Sequence, residues 1–185
     1  MQGDKKKAIL KSALELINEQ GFHGTSMSHL AKHANVAAGT IYHYFDSKEA
    51  MICAVHTHIV DRVLDQLALT DDPTLPYKER YYRIWFSMYE FHVDNPMFLR
   101  FYEQFVNSPY FFNNTSRMRI SDFYHELLKE GIEKGHLAKQ NPEILASLFI
   151  GGIISALKMT LYKKMKLSRE DLTDIIDMHW KGMSK

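Results

Sequence analysis

The residues best equipped for chemistry lie between Gly21 and Lys48, where hydroxyls, an imidazole and a lysine recur at helical spacing. Thr40, Tyr42 and Tyr44 offer hydroxyl groups, and His43 offers a ring nitrogen for a phosphate oxygen or a base edge. The methyl groups of Ala38 and Thr40 suit the methyl of thymine, and Gly39 faces outward beside them. Thr25 and Ser26 stand where one helix begins, and Lys48 opens another. At such points free amides and the helix dipole attract phosphate, and Lys48 adds a full charge. Lys5, Lys6 and Lys7 supply an arm of the kind that reaches the DNA backbone or minor groove. This is the chemistry of contact with duplex DNA. No nucleotide loop, GxSxG elbow or Cys/His nucleophile pattern accompanies it, so no enzyme is expected.

These side chains need short helices at a fixed angle, and the punctuation supplies them. A first helix is predicted over about residues 5–20, with Ile9, Ala13, Leu16 and Ile17 on one face and Gly21 as its stop. Thr25 or Ser26 caps a short second helix ending near Ala34. Asn35 follows, a residue that tolerates a left-handed backbone. The third helix covers about residues 38–44, with Ile41 and Phe45 turned inward. Ala31 and Ala34 are small enough for close helix contact, and Val36 plugs the turn. This is a helix-turn-helix whose second member enters the major groove.

Beyond it, Asp46, Ser47 and Glu49 start a long fourth helix that carries Met51, Val55, Ile59, Val63 and Leu67 on one side. Five more helices are expected, at about residues 77–93, 96–107, 116–134, 142–163 and 168–181. Loops separate them at 70–76 and 108–115.

The run GFHGTSMSHLAKHANVAAGTIYHYFDSKEAM resembles the DNA-binding head of the tetracycline-repressor (TetR) family of bacterial transcriptional regulators. The matching features are the Gly-Phe turn, Thr25, Leu30-Ala31, Val36, Gly39-Thr40-Ile41-Tyr42, Tyr44-Phe45 and Ser47-Lys48-Glu49. The resemblance implies an all-α homodimer and a palindromic double-stranded operator. It divides the chain into a DNA-binding domain at 1–48 and a ligand-binding and dimerisation domain at 49–185. By position, Thr25, Ala38, Gly39, Thr40, Tyr42, His43, Tyr44 and Lys48 correspond to the DNA-contacting set. Two positions depart from the family's habit. His29 stands where an acidic residue is frequent, and Ala38 where a long polar one is. Sequence readout then leans on His43, Thr40 and DNA shape.

The body carries an excess of aromatic residues. Trp85, Tyr89, His92, Phe101, Tyr102, Phe105 and Phe123 are candidate contacts for a lipophilic or aromatic effector; the competing reading is that such side chains fill a core. Ser147, Gly151 and Ser155 recur every fourth residue. Glycine in a helix interior costs about 1 kcal/mol, which close packing against another helix explains. With Leu172 and Ile176 they form a candidate dimer interface, the alternative being close packing within one chain. Ten histidines include the spaced pairs His29/His33, Asp122/His125 and Glu133/His136. Three or four converging ligands, which zinc needs, are not visible, so no metal or other cofactor is expected.

A net charge of +1 leaves DNA affinity to local patches doubled by dimerisation. The single Cys53 excludes an internal disulfide framework and fits a reducing cytoplasm. The uncharged run from Ile144 to Leu157 is too short to cross a bilayer, so no membrane partner is expected. The sequence thus reads as all-α, with a three-helix head, a six-helix body and a ligand-responsive DNA-binding role as a repressor. The alternatives are a helical ligand-binding bundle with weak or no DNA binding, and a metal-responsive regulator.

Overall fold

The computed structural model describes residues 2–112 and 114–185. Among them are nine α-helices: α1 (Gln2–Gly24), α2 (Met27–His33), α3 (Ala38–Tyr44), α4 (Lys48–Thr70), α5 (Tyr77–Asp94), α6 (Pro96–Val106), α7 (Arg117–Glu133), α8 (Pro142–Leu161) and α9 (Arg169–Met183), with a short 3-10 turn at Pro109–Phe111. The described residues contain no strand beyond an isolated bridge between Leu137 and Ser184. The chain is all-α, as the periodicity predicts.

The chain divides into two compact units. The first comprises residues 1–62 and 97–117, the second 63–96 and 118–185. Helix α4 contributes residues to both, and most of α6 is grouped with the first.

In the first unit the sequence signals act where expected. The α1 run is broken at Gly21, whose φ of 70° is a conformation that a side chain would strain. Ile9, Ala13, Leu16 and Ile17 are buried, as are Ile41 and Phe45. Ser26 caps α2 by accepting a hydrogen bond from the His29 amide at 3.1 Å. Ser47 accepts one from the Ala50 amide at the start of α4.

In the second unit α5 packs against both α8 and α9. Asn141 caps α8, and Ser168 and Asp171 form a reciprocal capping box on α9. Helix α8 is longer than its uncharged stretch suggested. It has 20 residues with a mean hydropathy of 1.9 in its most apolar window, so it is long and apolar enough to cross a bilayer, and 39% of that window is buried. Leu145, Ala146, Phe149, Ile153, Ala156 and Leu157 turn inward as part of the core.

Candidate nucleic-acid interface

The turn between α2 and α3 is fixed by its backbone. Asn35 adopts φ 52°, and the Val36 amide donates to the Ala31 carbonyl at 2.9 Å. Leu30 and Ile41 are fully buried and Ala31 nearly so, which locks the two short helices into one rigid body. What remains outside on α3 is Ala38, Gly39, Tyr42 and His43, all exposed, with Thr40 and Tyr44 half-buried. Tyr42 is 55% exposed, a large aromatic hydroxyl held out from the surface. A side-chain carbon at Gly39 would meet nothing within 4 Å, so the backbone there is open to a partner. The His43 and Tyr44 rings pack edge to face, their centroids 5.1 Å apart. Lys48 opens α4 and is half-buried, and Lys6 lies over the Phe45 ring at 5.9 Å.

Thr25 corrects its sequence reading as a surface contact. It is fully buried, and its hydroxyl donates to the Gly21 carbonyl at 2.9 Å. The side chain closes the glycine break in α1 and sets where α2 begins. Ser26, exposed and capping, is the hydroxyl left at the surface.

Sequence reasoning missed a polar network behind this head. His56 is 4% exposed on α4, stacked on Phe105 with ring centroids 4.2 Å apart. Ser116 donates its hydroxyl to Asn114 Oδ1 at 2.6 Å, so its oxygen accepts from His56 Nδ1 at 2.9 Å. Asn114 in turn donates to the Cys53 carbonyl, as does Thr57. Burial pulls the His56 pKa down to about 4, keeping the ring neutral. Burial also raises the Cys53 thiol, with the Glu49 carboxylate adding to it, so Cys53 is a poor nucleophile. These partners lie about sixty residues apart in sequence, and no local pattern announces them.

The candidate effector contacts divide between the units. Phe101 and Phe105 are fully buried in the first, where Phe101 meets Phe22 edge to face, while Tyr102 is 42% exposed. In the second, Trp85 and Tyr89 are buried with rings stacked, and Tyr89 shares a 2.7 Å hydrogen bond with Thr160. His92 donates from Nδ1 to the Met88 carbonyl, and burial lowers its pKa. Phe123 lines a surface cleft of about 560 Å³ whose other walls include Asp71, Arg80, Arg119, Glu126 and Glu130. Within it the buried Arg80 guanidinium forks onto Asp71 and Glu130, which drives its pKa up. That cleft is charged rather than apolar. The apolar core of the unit holds three buried polar atoms without a hydrogen-bond partner: Tyr81 OH, Trp85 Nε1 and His179 Nδ1.

On α8, Ser147, Gly151 and Ser155 are exposed together with Ile144 and Leu148. Leu172 and Ile176 of α9 are instead buried within their own unit. Gly151 has open space beside it, whereas a side-chain carbon at Gly152 would fall 1.9 Å from the His179 ring. Among the described residues no three His, Cys, Asp or Glu side chains gather into a metal site.

The model for bacterial regulatory proteins of the tetR family matches residues 9–55, and the tetracyclin repressor-like C-terminal domain matches residues 76–184. The chain belongs to the TetR family. An HTH-type transcriptional regulator of Haemophilus influenzae is 29% identical over 185 residues, covering 98% of this chain and 97% of its own. A tetR family transcription regulator from Shewanella superposes with a TM-score of 0.86 at 26% identity, covering 98% of both chains. A TetR family protein from Vibrio parahaemolyticus gives 0.83 at 28%, covering 98% and 99%. The TetR match extends through the body, where the sequence alone had offered only length and helical pattern. The protein is therefore a DNA-binding transcriptional regulator of the TetR type, not an enzyme.

Proposed function

We propose that this regulator is a cytoplasmic repressor that binds a palindromic operator as a homodimer and is released by a lipophilic or aromatic small molecule. Residues 1–48 read DNA, and residues 49–185 pair the chains and bind the effector. The observation that carries the reading is the exposed side of α8. Ile144 and Leu148 are more than half exposed beside the small Ser147, Gly151 and Ser155. A contiguous apolar and small-residue face on a soluble regulator's body calls for a partner. A second copy of the same face closes a two-fold pair, while Leu172 and Ile176 of α9 stay buried in their own unit.

Pairing is what makes the head selective. Ala38 and Gly39 bring no hydrogen-bonding side chain, so one α3 reads few bases. Two copies of α3 placed about one helical turn of DNA apart, roughly 34–36 Å, read an inverted repeat. Ser26, Thr40, Tyr42, His43, Tyr44 and Lys48 supply the backbone and base-edge contacts, while Ala38 and Gly39 allow close approach. The effector sits among Trp85, Tyr89 and His92, where the unpaired Tyr81 and Trp85 donors favour a molecule carrying an acceptor. Its binding, transmitted along α4, alters the separation of the two heads. A difference of about 1–3 kcal/mol between the two forms is a usable switch.

The test is salt-dependent binding to DNA from the gene's own promoter region. Tyr42→Ala and Lys48→Ala are each expected to weaken it by about 1–3 kcal/mol. Undiminished binding by both variants would remove α3 and the start of α4 from the interface.

A further inference from the structure

We propose that the head holds the DNA backbone through imidazolium groups, so that binding DNA takes up protons. The inference rests on the DNA-binding role of the head and adds the source of its charge. From Gly21 to Phe45 there is no Asp or Glu and a single lysine, Lys32, but there are four histidines: His23, His29, His33 and His43. His23, His33 and His43 are exposed and His29 is half-buried. None of the four forms an ion pair among the described residues.

The surrounding charges do not replace them. Helix α1 carries Asp4, Lys5, Lys6, Lys7, Lys11, Glu15 and Glu19, of which Lys11 and Glu15 face each other at 3.9 Å. Helix α6, on which Phe22 packs, brings Arg100 and Glu103. The start of α4 and the residues before it bring Asp46, Lys48 and Glu49. The two signs nearly balance across these neighbours, while the reading segment itself swings from +1 with neutral imidazoles to +5 with all four protonated. Two heads double the swing.

An imidazole ordinarily changes charge near pH 6.5, and a phosphate beside it favours the cationic form. Docking against DNA therefore favours the uptake of protons by these rings. Each imidazolium that meets a phosphate also displaces a condensed counterion, adding about 0.9 to the slope of log affinity against log salt. The sign follows directly: affinity is greatest at low pH and falls as pH rises.

The test uses the full chain and a random-sequence duplex of about 30 base pairs, long enough for two half-sites a turn apart. Affinity is measured by fluorescence anisotropy at constant salt between about pH 8 and about pH 6. The wild type is expected to tighten at least about tenfold over that range, as linkage requires when one or more protons are taken up. The variant carrying His23→Gln, His29→Gln, His33→Gln and His43→Gln should lose most of that gain, and should show a shallower salt slope at the acid end. His43→Gln alone, on the most exposed helix, should lose part of it if the fourfold variant does not fold. Affinity independent of pH, or a pH response that survives these substitutions, overturns the proposal and leaves DNA binding intact. No binding at any pH would count against the head as a DNA reader, and the proposal would fall with it.

Discussion

Two buried polar clusters, one in each unit, are treated in opposite ways, although the first unit also holds the unpaired Asn18 Oδ1 and the second the fully paired Arg80. In the first, His56 is enclosed with Ser116, Asn114 and Thr57, and hydrogen bonds give each of these side chains a partner. In the second, Tyr81 and Trp85 lie one turn apart on α5, fully buried, with their donors unpaired. A satisfied network is rigid, because breaking any member leaves another uncompensated. Unpaired donors in an aromatic core cost about 1–3 kcal/mol each and are retained where something other than stability is served. The first unit is built to hold α4 and the segment after α6 in one arrangement. The aromatic core around Tyr81 and Trp85 in the second is built with unmet capacity.

The largest expected effect breaks the satisfied side of this contrast. His56→Ala removes a stacked ring and strands Ser116 and Asn114, and should cost about 2–4 kcal/mol in denaturant unfolding. The same residue sets a pH dependence. Its folded pKa, near 4, lies below the ordinary value, so the stability it confers is complete above about pH 6.5 and drains away as pH falls toward 4. A His56→Gln protein should show a shallower decline in unfolding experiments across this range, the remainder coming from other histidines whose pKa burial lowers, such as His92.

Next in size is a pair of neighbouring glycines. Gly152→Ala should destabilise by about 1–2 kcal/mol, because the new methyl displaces the His179 ring. Combining it with His179→Ala should recover most of the loss. Gly151→Ala, where space is open, should instead stabilise an isolated chain by up to about 1 kcal/mol. Thermal unfolding of the three variants reads the difference.

The smallest effect sharpens the comparison most. Tyr81→Phe deletes an unpaired hydroxyl and should leave stability unchanged or raise it by about 1 kcal/mol, whereas Tyr77→Phe breaks a 3.0 Å bond to the Leu127 carbonyl and should lower it by a similar amount. Equal losses at the two tyrosines would erase the distinction drawn between paired and unpaired groups.

What the sequence made legible follows from range. Gly21, Ser26, Asn35, Ile41 and Phe45 act on neighbours within a turn or two, and their types and spacing determine the head before any tertiary contact is considered. The buried stripe of α4, from Met51 to Leu67, is legible for the same reason. The His56 network is not, since Ser116 and Asn114 reach it from about sixty residues away through a loop without periodicity. Thr25 was visible as a hydroxyl at a helix start, but not that the Gly21 carbonyl would capture it. On α9 the apolar Leu172 and Ile176 were visible as a stripe, and a stripe does not say whether it faces its own chain or another. Exposure resolves that: these two are interior, and the open side of α8 is where Ile144 and Leu148 stand.

The central claim is that two heads, each reading few bases, act as a pair. Sequencing of DNA fragments selected from a random pool by the purified full-length protein tests it most directly. The account predicts enrichment of an inverted repeat whose half-sites are centred about one helical turn, roughly 10 base pairs, or somewhat more, apart. Enrichment of a single unrepeated motif, or of no motif at all, would contradict it.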